Sequence, residues 1–227
     1  MLVSVVVPVL DEAAALPALL DGLRTLDGTF EVIVVDGGSS DDTGALAATH
    51  PSRPTVVHSP AGRARQMNMG ASVAVGDVLL FLHADTRLPR HAYAHMTEAL
   101  ADPKVLGGNF RLHFDGGDRF SQILGAWYAL QRHSGIYYGD SAIWLRRRTF
   151  DSLGGFRELA IMEDYDLARR LQRAGQTVCL PGPAITSARR WQGHGLTRTV
   201  GSWMLIRWLY LAGVPAARLA RLYPRIR

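Results

Sequence analysis

Lysine and cysteine are nearly missing from this chain: Lys104 and Cys179 are the only ones among 227 residues. A single thiol excludes an internal disulfide and any cysteine-rich metal site. Almost all the positive charge is therefore arginine, whose planar fork suits phosphates and carboxylates, although genomic base composition produces the same bias. The formal net charge is +5, but the basic residues are scattered rather than gathered in a tail, so nucleic acid is not an expected partner. No apolar run reaches the ~18–20 residues that span a bilayer. The opening MLVSVVVPVLDE lacks a basic leader and a cleavage site. The expected location is cytoplasmic, with peripheral contact at the inner face of a membrane as a further option. Neither repeats nor low-complexity segments nor linkers occur. Two nucleotide-binding signatures are absent as well: the first apolar run ends in Leu10-Asp11-Glu12 rather than G-x-G-x-x-G, and there is no G-x-x-x-x-G-K-[ST]. A dinucleotide dehydrogenase or P-loop enzyme is thereby disfavoured, because two acids would repel a pyrophosphate.

What is present is enough apolar residue, 48%, for a full core in one sizeable domain or in a domain with an appended C-terminal element. Val78–Leu82 is a short unbroken apolar run, which reads as a strand buried on both faces. It stops abruptly at His83-Ala84-Asp85-Thr86. Leu2–Val9 and Phe30–Val35 are similar runs, followed by Asp11-Glu12 and Asp36, and Thr55–His58 is a shorter one. Leucines at helical spacing follow an N-cap at Asp11, and Gly62–Val75 reads as a helix carrying Arg63, Arg65 and Asn68. Alternating strands and helices over the first 85 residues predict a doubly wound parallel sheet. Ligands bind such sheets beyond the carboxyl ends of the strands. One acid there is ordinarily a cap or a solvated turn. Three successive acidic strand ends, Asp11/Glu12, Asp36 and Asp85, point instead to a site that accepts from a ribose or base and ligates a phosphate-bearing metal.

The second half is less regular. Val105–Phe114 reads as extended, with Gly107-Gly108 permitting a bulge or close backbone approach, and 118–133 as a helix. A polar, aromatic loop, Tyr137–Ser141, precedes a strand at Ala142–Leu145. Arg146-Arg147-Arg148 is either a basic ligand patch or a solvated helix start. Glu163, Asp164 and Asp166 open a helix running to about Ala174 and capped by Gly175. The macrodipole alone favours acids in a first turn, but the apolar approach through Ile161-Met162 suggests a partly buried carboxylate that could act as a tuned base. Thr197–Leu222 interleaves Trp203, Leu205, Ile206, Trp208, Leu209 and Leu211 with Arg198, Arg207, Arg218 and Arg221. This is either an interfacial helix or one that packs on the domain or on a second subunit.

Four segments, in order, carry a family resemblance: VSVVVPVLDEAAALPALLDGL, EVIVVDGGSSDDT, GRARQMNMGASVAVGDVLLFLHADT and LGGFRELAIMEDYDLARRLQRAG. Over roughly residues 3–180 the sequence resembles inverting glycosyltransferases of family 2, with the GT-A fold. It is also similar to a bacterial subgroup associated with arsenosugar or selenium-related gene clusters. The resemblance implies an α/β, Rossmann-like, doubly wound and mostly parallel sheet with an acceptor-side subregion and a C-terminal amphipathic helix. The corresponding division is a GT-A domain at 1–195, with a nucleotide-binding half at about 1–90 and an acceptor and catalytic half at about 91–195, then a helical extension at 196–227. The implied donor is a nucleotide-diphosphate sugar, the implied cofactor Mn2+ or Mg2+, and the acceptor a small-molecule or lipid-linked hydroxyl. By motif position Glu12 and Asp36 contact the nucleoside, Arg65 lies near the nucleotide, and Asp85 ligates the metal. Pro8, Gly38, His83, Ala84 and Asp140 complete the donor-binding set. Asp164 is the implied general base, with Glu163 beside it.

Two departures from the family pattern stand out. The family's Asp-x-Asp is here His83-Ala84-Asp85, so His83 either hydrogen-bonds the ribose or diphosphate, the preferred reading, or ligates the metal. The Gln-x-x-Arg-Trp motif of processive synthases has only a loose echo in SARRWQ at 187–192, which favours a single transfer over polymerisation. Residues 197–222 remain open to peripheral membrane contact or a homodimer. Alternative functions are a nucleotidyltransferase of sugar activation, against which Leu10-Asp11-Glu12 stands, and a catalytically silent nucleotide-sugar-binding protein.

Overall fold

Strands β1 (Val3–Val9), β2 (Phe30–Asp36), β3 (Thr55–His58) and β4 (Val78–Phe81) are parallel and lie in the spatial order β3-β2-β1-β4. Helices α1 (Leu16–Arg24), α2 (Thr43–Thr49) and α3 (Arg63–Val73) connect them. The computed structural model describes residues 1–116, 119–133, 135–188 and 196–222. Beyond β4 the chain forms β5 (Thr86–Arg87), α4 (Ala92–Leu100), β6 (Val105–Phe114) and α5 (Arg119–His133). A 3-10 turn at Gly139–Ser141 then leads to β7 (Ile143–Arg146), α6 (Arg147–Ser152), α7 (Glu163–Ala174) and β8 (Gln176–Thr186). The single sheet continues β4-β7-β6-β8-β5, with β7 antiparallel to both its neighbours, β8 parallel to β6, and β5 antiparallel to β8. Two further helices, α8 (Leu196–Leu211) and α9 (Ala216–Leu219), close the described chain.

The apolar runs are unbroken because both faces of the sheet are covered. Alternate side chains of a strand point to opposite faces. On β1, Val3, Val5, Val7 and Val9 meet Leu16, Leu19, Leu20 and Leu23 of α1, while Val6 belongs to the opposite layer with Ala64, Met67 and Ala71 of α3. The split recurs at β4, where Leu80 and, just past the strand, Leu82 share the α1 side and Leu79 and Phe81 the side of α3, α6 and α7. This is the doubly wound, mostly parallel arrangement expected. The close approach expected at Gly107-Gly108 is also present: β6 shifts register between Val105 and Gly107, and a Cβ on Gly108 would collide with the Val178 carbonyl oxygen.

Three local expectations need correction. Asp11 does not cap α1. It sits in the left-handed region (φ 55°), and the helix begins at Leu16, because the Asp11 carboxylate is engaged across the sheet by Ser40. Arg146 and Arg147 form neither a ligand patch nor a solvated helix start. Arg146 donates to the carbonyls of Leu100 and Val105, and Arg147 to those of Ala71 and Gly76, so both tie strand ends to helix ends. The C-terminal helical stretch is interrupted by Gly213 (φ 86°) and Pro215 before α9 resumes. The 189–192 part of the SARRWQ echo, and the residues next to the 195/196 boundary up to 195, lie outside the described residues.

Helix α7 is anchored by a buried acid rather than by its dipole. Asp166 accepts from Arg170 (2.7 Å) and Arg157 (3.1 Å), and Arg170 also donates to the carbonyls of Leu153 and Gly155. Both Asp166 and Arg170 are largely removed from water, so deleting one partner strands the other. Asp166→Ala is expected to cost about 3 kcal/mol of unfolding free energy, as is usual for breaking a buried pair. Urea titration of parent and variant measures it.

Candidate active site

The acidic strand ends are drawn together by the turns that follow them. Asp36, buried at the end of β2, accepts from the amides of Gly38 (3.2 Å) and Ser39 (2.9 Å) and from the Ser39 hydroxyl (2.6 Å). That turn is braced to the one after β1. The Asp11 amide donates to Ser39 Oγ, the Glu12 amide to Thr43 Oγ1, and the Ala13 amide to Asp41. In return the Ser40 amide donates to Asp11 at 2.7 Å, and the Ser40 amide and hydroxyl hold the Asp11 carboxyl below its ordinary value. Beneath both turns the buried Gln66 amide of α3 donates to the Val9 and Val35 carbonyls, at 2.8 and 2.9 Å.

The end of β4 meets the start of α7 through the turn Gly139–Ser141. His83 Nδ1 lies 3.1 Å from Asp140 Oδ1, and the Gly139 amide donates to Asp164 Oδ2 at 2.7 Å. The other Asp164 oxygen accepts from the Tyr165 amide. Gly139 leaves little space for a side chain. A Cβ there would stand 3.1 Å from both Asp164 Oδ2 and His83 Nε2. Glu163 is buried, with Arg63 Nη1 3.5 Å from its Oε1. Burial pushes the Glu163 carboxyl up, Arg63 pulls it down, and the neighbouring Asp164 raises it further. Burial also pushes the Tyr138 hydroxyl up to about 12, with Arg207 working against it, so this side chain stays a neutral donor. Met162, immediately before α7, is forced into the left-handed region (φ 71°), as is Ala142 after the turn (φ 53°). Such strain persists where surrounding structure over-determines it.

These groups surround a cavity of about 940 Å³. Of the residues singled out from sequence, Pro8, Glu12, His83, Ala84, Asp85, Asp140, Glu163 and Asp164 line it. Asp36 and Gly38 do not; they shape the turn beside it. Arg65 points away and pairs with Glu158 at 2.8 Å on the surface. Arg63 takes the inward position. Helical spacing carried that signal, since Arg63, Gln66 and Gly70 share the face turned to the sheet and site and Arg65 lies nearly opposite. The wall formed by Trp127, Tyr138, Trp203 and Arg207 had no motif to announce it. A second cavity of about 400 Å³, between β6, β8 and α5, has no acid in its lining.

Residues 4–157 match Glycosyl transferase family 2. The chain belongs to this family. The family 2 chain is 41% identical over 91 residues to a PGL/p-HBAD biosynthesis glycosyltransferase of Mycobacterium bovis, which covers 37% of this chain and 36% of the relative. It is 28% identical over 157 residues to an undecaprenyl-phosphate 4-deoxy-4-formamido-L-arabinose transferase of Sodalis glossinidius, covering 63% of this chain and 48% of that one. The chain thus spans less than half the length of either relative. A mannosyltransferase from Pyrobaculum calidifontis, solved with GDP-Man and Mn2+, superposes with a TM-score of 0.70 at 23% identity, covering 92% of this chain and 63% of that one. Glucosyl-3-phosphoglycerate synthase of Mycobacterium tuberculosis, solved with Mn2+, UDP and glucosyl-3-phosphoglycerate, gives 0.63 at 21% identity, covering 94% and 80%. Both share the GT-A fold seen here.

The raised Glu163 carboxyl makes a prediction about stability. A native state that holds a proton more tightly than the unfolded chain is most favoured at low pH, and that advantage is lost as pH rises through the native value. Glu163→Gln removes the dependence. The variant is expected to melt higher than the parent near neutral pH, with the difference shrinking towards the ordinary glutamate value of 4.5. Melting curves across that range check the sign.

Proposed function

We propose that the chain is a metal-dependent inverting glycosyltransferase moving a sugar from a nucleotide-diphosphate sugar to a hydroxyl acceptor. The observation that carries the reading is that one cavity holds Asp85 and His83 from the end of β4 and Asp164 from the start of α7, joined by the Gly139–Ser141 turn. The donor half is the strand-end side, with Pro8, Glu12, Ala84 and Asp140 on the wall and Asp36 and Gly38 in the turn behind. Arg63 already faces this space, whereas Arg65 would have to leave Glu158 to reach a diphosphate. The solved relatives bound to GDP-Man and to UDP, each with Mn2+, support that donor class.

Asp85 is a carboxylate of the kind that takes Mn2+ or Mg2+ together with substrate phosphate oxygens; among the described residues no three His, Cys, Asp or Glu side chains form a site by themselves, so the donor's phosphates would supply the other ligands. Bound there, the ion would offset charge on the departing diphosphate. The rest of the chemistry falls to the chain. Each Asp164 oxygen has one amide partner, and a carboxylate oxygen has two lone pairs, so one remains to accept the acceptor's proton. As that O–H bond breaks, the acceptor oxygen attacks the anomeric carbon from the side opposite the diphosphate, whose C–O bond breaks, and the configuration inverts. Glu163, next to the base in the chain, is held by Arg63. With Nδ1 facing Asp140, the Nε2 of His83 is the nitrogen turned to Gly139. There it can accept from a ribose or sugar hydroxyl, or join Asp85 at the ion.

Thermal shift with a panel of nucleotide sugars and Mn2+ identifies the donor. Asp85→Ala is expected to lose the Mn2+-dependent part of that shift while keeping the fold; an unchanged shift would make Asp85 structural. Asp164→Asn should bind donor as the parent does and release nucleoside diphosphate roughly 10²–10⁴-fold more slowly, the usual worth of a general base. A parental rate in that variant, with a slow Glu163→Gln, would move the base to Glu163. His83→Asn is expected to keep appreciable turnover and the parental metal stoichiometry; loss of bound metal would put His83 among its ligands.

A further inference from the structure

Six of the thirteen exposed large apolar side chains among the described residues lie on the two helices beside the cavity. Met204, Leu205, Trp208 and Leu211, between 44% and 60% exposed, form one face of α8, opposite the buried Ile206. The neighbouring α5 leaves Ile123 and Leu130 exposed, two turns apart. The two helices meet through Leu124 and Tyr128 on one side and Val200 and Trp203 on the other, and Arg207 donates to the Gln131 side chain. Such a face on a monomer marks an interaction surface. No described helix is long and apolar enough to cross a membrane.

Charge decides what covers it. From Leu167 onward the sequence contains no Asp or Glu, α5 contains none either, and Arg119, Arg218 and Arg221 are exposed. A two-fold contact with a second copy would set arginines against arginines, because an isologous interface presents the same patch from both sides. An anionic lipid layer offers the opposite charge and accepts half-buried Trp and Leu at headgroup depth. The apolar face is also continuous with the site, since Met204 belongs both to the exposed face and to the cavity wall.

We propose that α8, with α9 and the exposed edge of α5, docks on an anionic phospholipid surface. Leu205 and Trp208 enter the headgroup layer, and Arg218 and Arg221 lie on lipid phosphates. The Trp203–Met204 rim of the cavity then stands at the lipid boundary, where a hydroxyl acceptor with an apolar tail can present its polar end to Asp164. That last step rests on the transferase reading; the docking does not.

The test is co-sedimentation of the full chain with phosphatidylcholine vesicles, with and without phosphatidylglycerol, at low and physiological salt. Oligomeric state is read by light scattering without vesicles. Binding is expected only with phosphatidylglycerol and to weaken with salt. Leu205→Ser/Trp208→Ser should lower partitioning on the order of tenfold or more, from the apolar area no longer buried. Arg218→Glu/Arg221→Glu should abolish the preference for phosphatidylglycerol. All four positions are exposed, so both variants should melt as the parent does; were the apolar pair to misfold, the arginine pair still reads the claim. Equal binding to both vesicle types, no binding, or parental binding by either variant would overturn it. A parent dimer that Leu205→Ser/Trp208→Ser dissociates would assign the face to a second copy. Mn2+-dependent binding of a nucleotide sugar, read by thermal shift without vesicles, tests the transferase reading separately: its absence beside intact vesicle binding overturns that reading alone.

Discussion

The hydrogen bond from the Gly139 amide to Asp164 is the contact on which the site depends. β4 and α7 are far apart in the sequence, and the turn at 139–141 touches both. Its position is set by the sheet. β7 pairs antiparallel with β4, Ile143 opposite Phe81, so the residues just before β7 fall beside those just after β4. Ala142, with φ 53°, carries the chain from the turn into that register. Gly139 can then aim its amide at one carboxylate while Asp140 takes the imidazole, with tight quarters for any side chain between them.

The two-layered core explains why these groups can be placed so closely. Helices α1 and α4 cover one face, α3, α6 and α7 the other, and β1 and β4 between them have no exposed side on which register could drift. The acid at the start of α7 is positioned by this arrangement and by Arg157 and Arg170, which grip Asp166 from beside and within the helix. Charged residues in the same first turn thus do different work. Asp166 holds the helix, Glu163 is buried against Arg63, and Asp164 reaches the cavity.

Much of this was legible in the residues. β1, β2 and β4 announce themselves because burial on both faces demands unbroken apolar runs, and α7 because its start and its glycine stop are both written in the sequence. β8 was not legible. Its burial is mixed and it carries Pro181, Gly182 and Pro183, residues that ordinarily interrupt a strand, although this one continues by shifting register against β6. Asp11 looked like a cap because local pattern cannot show that Ser40, from the next loop, captures it. The choice between Arg63 and Arg65 lay within reach of helical geometry, since one faces the sheet side and the other solvent. The aromatic wall from α5 and α8 was out of reach, because it depends on tertiary contacts between segments that share no motif with the strand ends.

The mutual bracing of the loops after β1 and β2 bears on how a ligand is received. Fixing a backbone residue costs roughly 1–2 kcal/mol of conformational entropy. Here the Asp11, Glu12, Ala13 and Ser40 amides are already held in the folded chain by side chains of the opposing loop. A molecule settling against these loops meets ordered backbone, and its contact energy appears as affinity instead of being consumed in ordering the receptor.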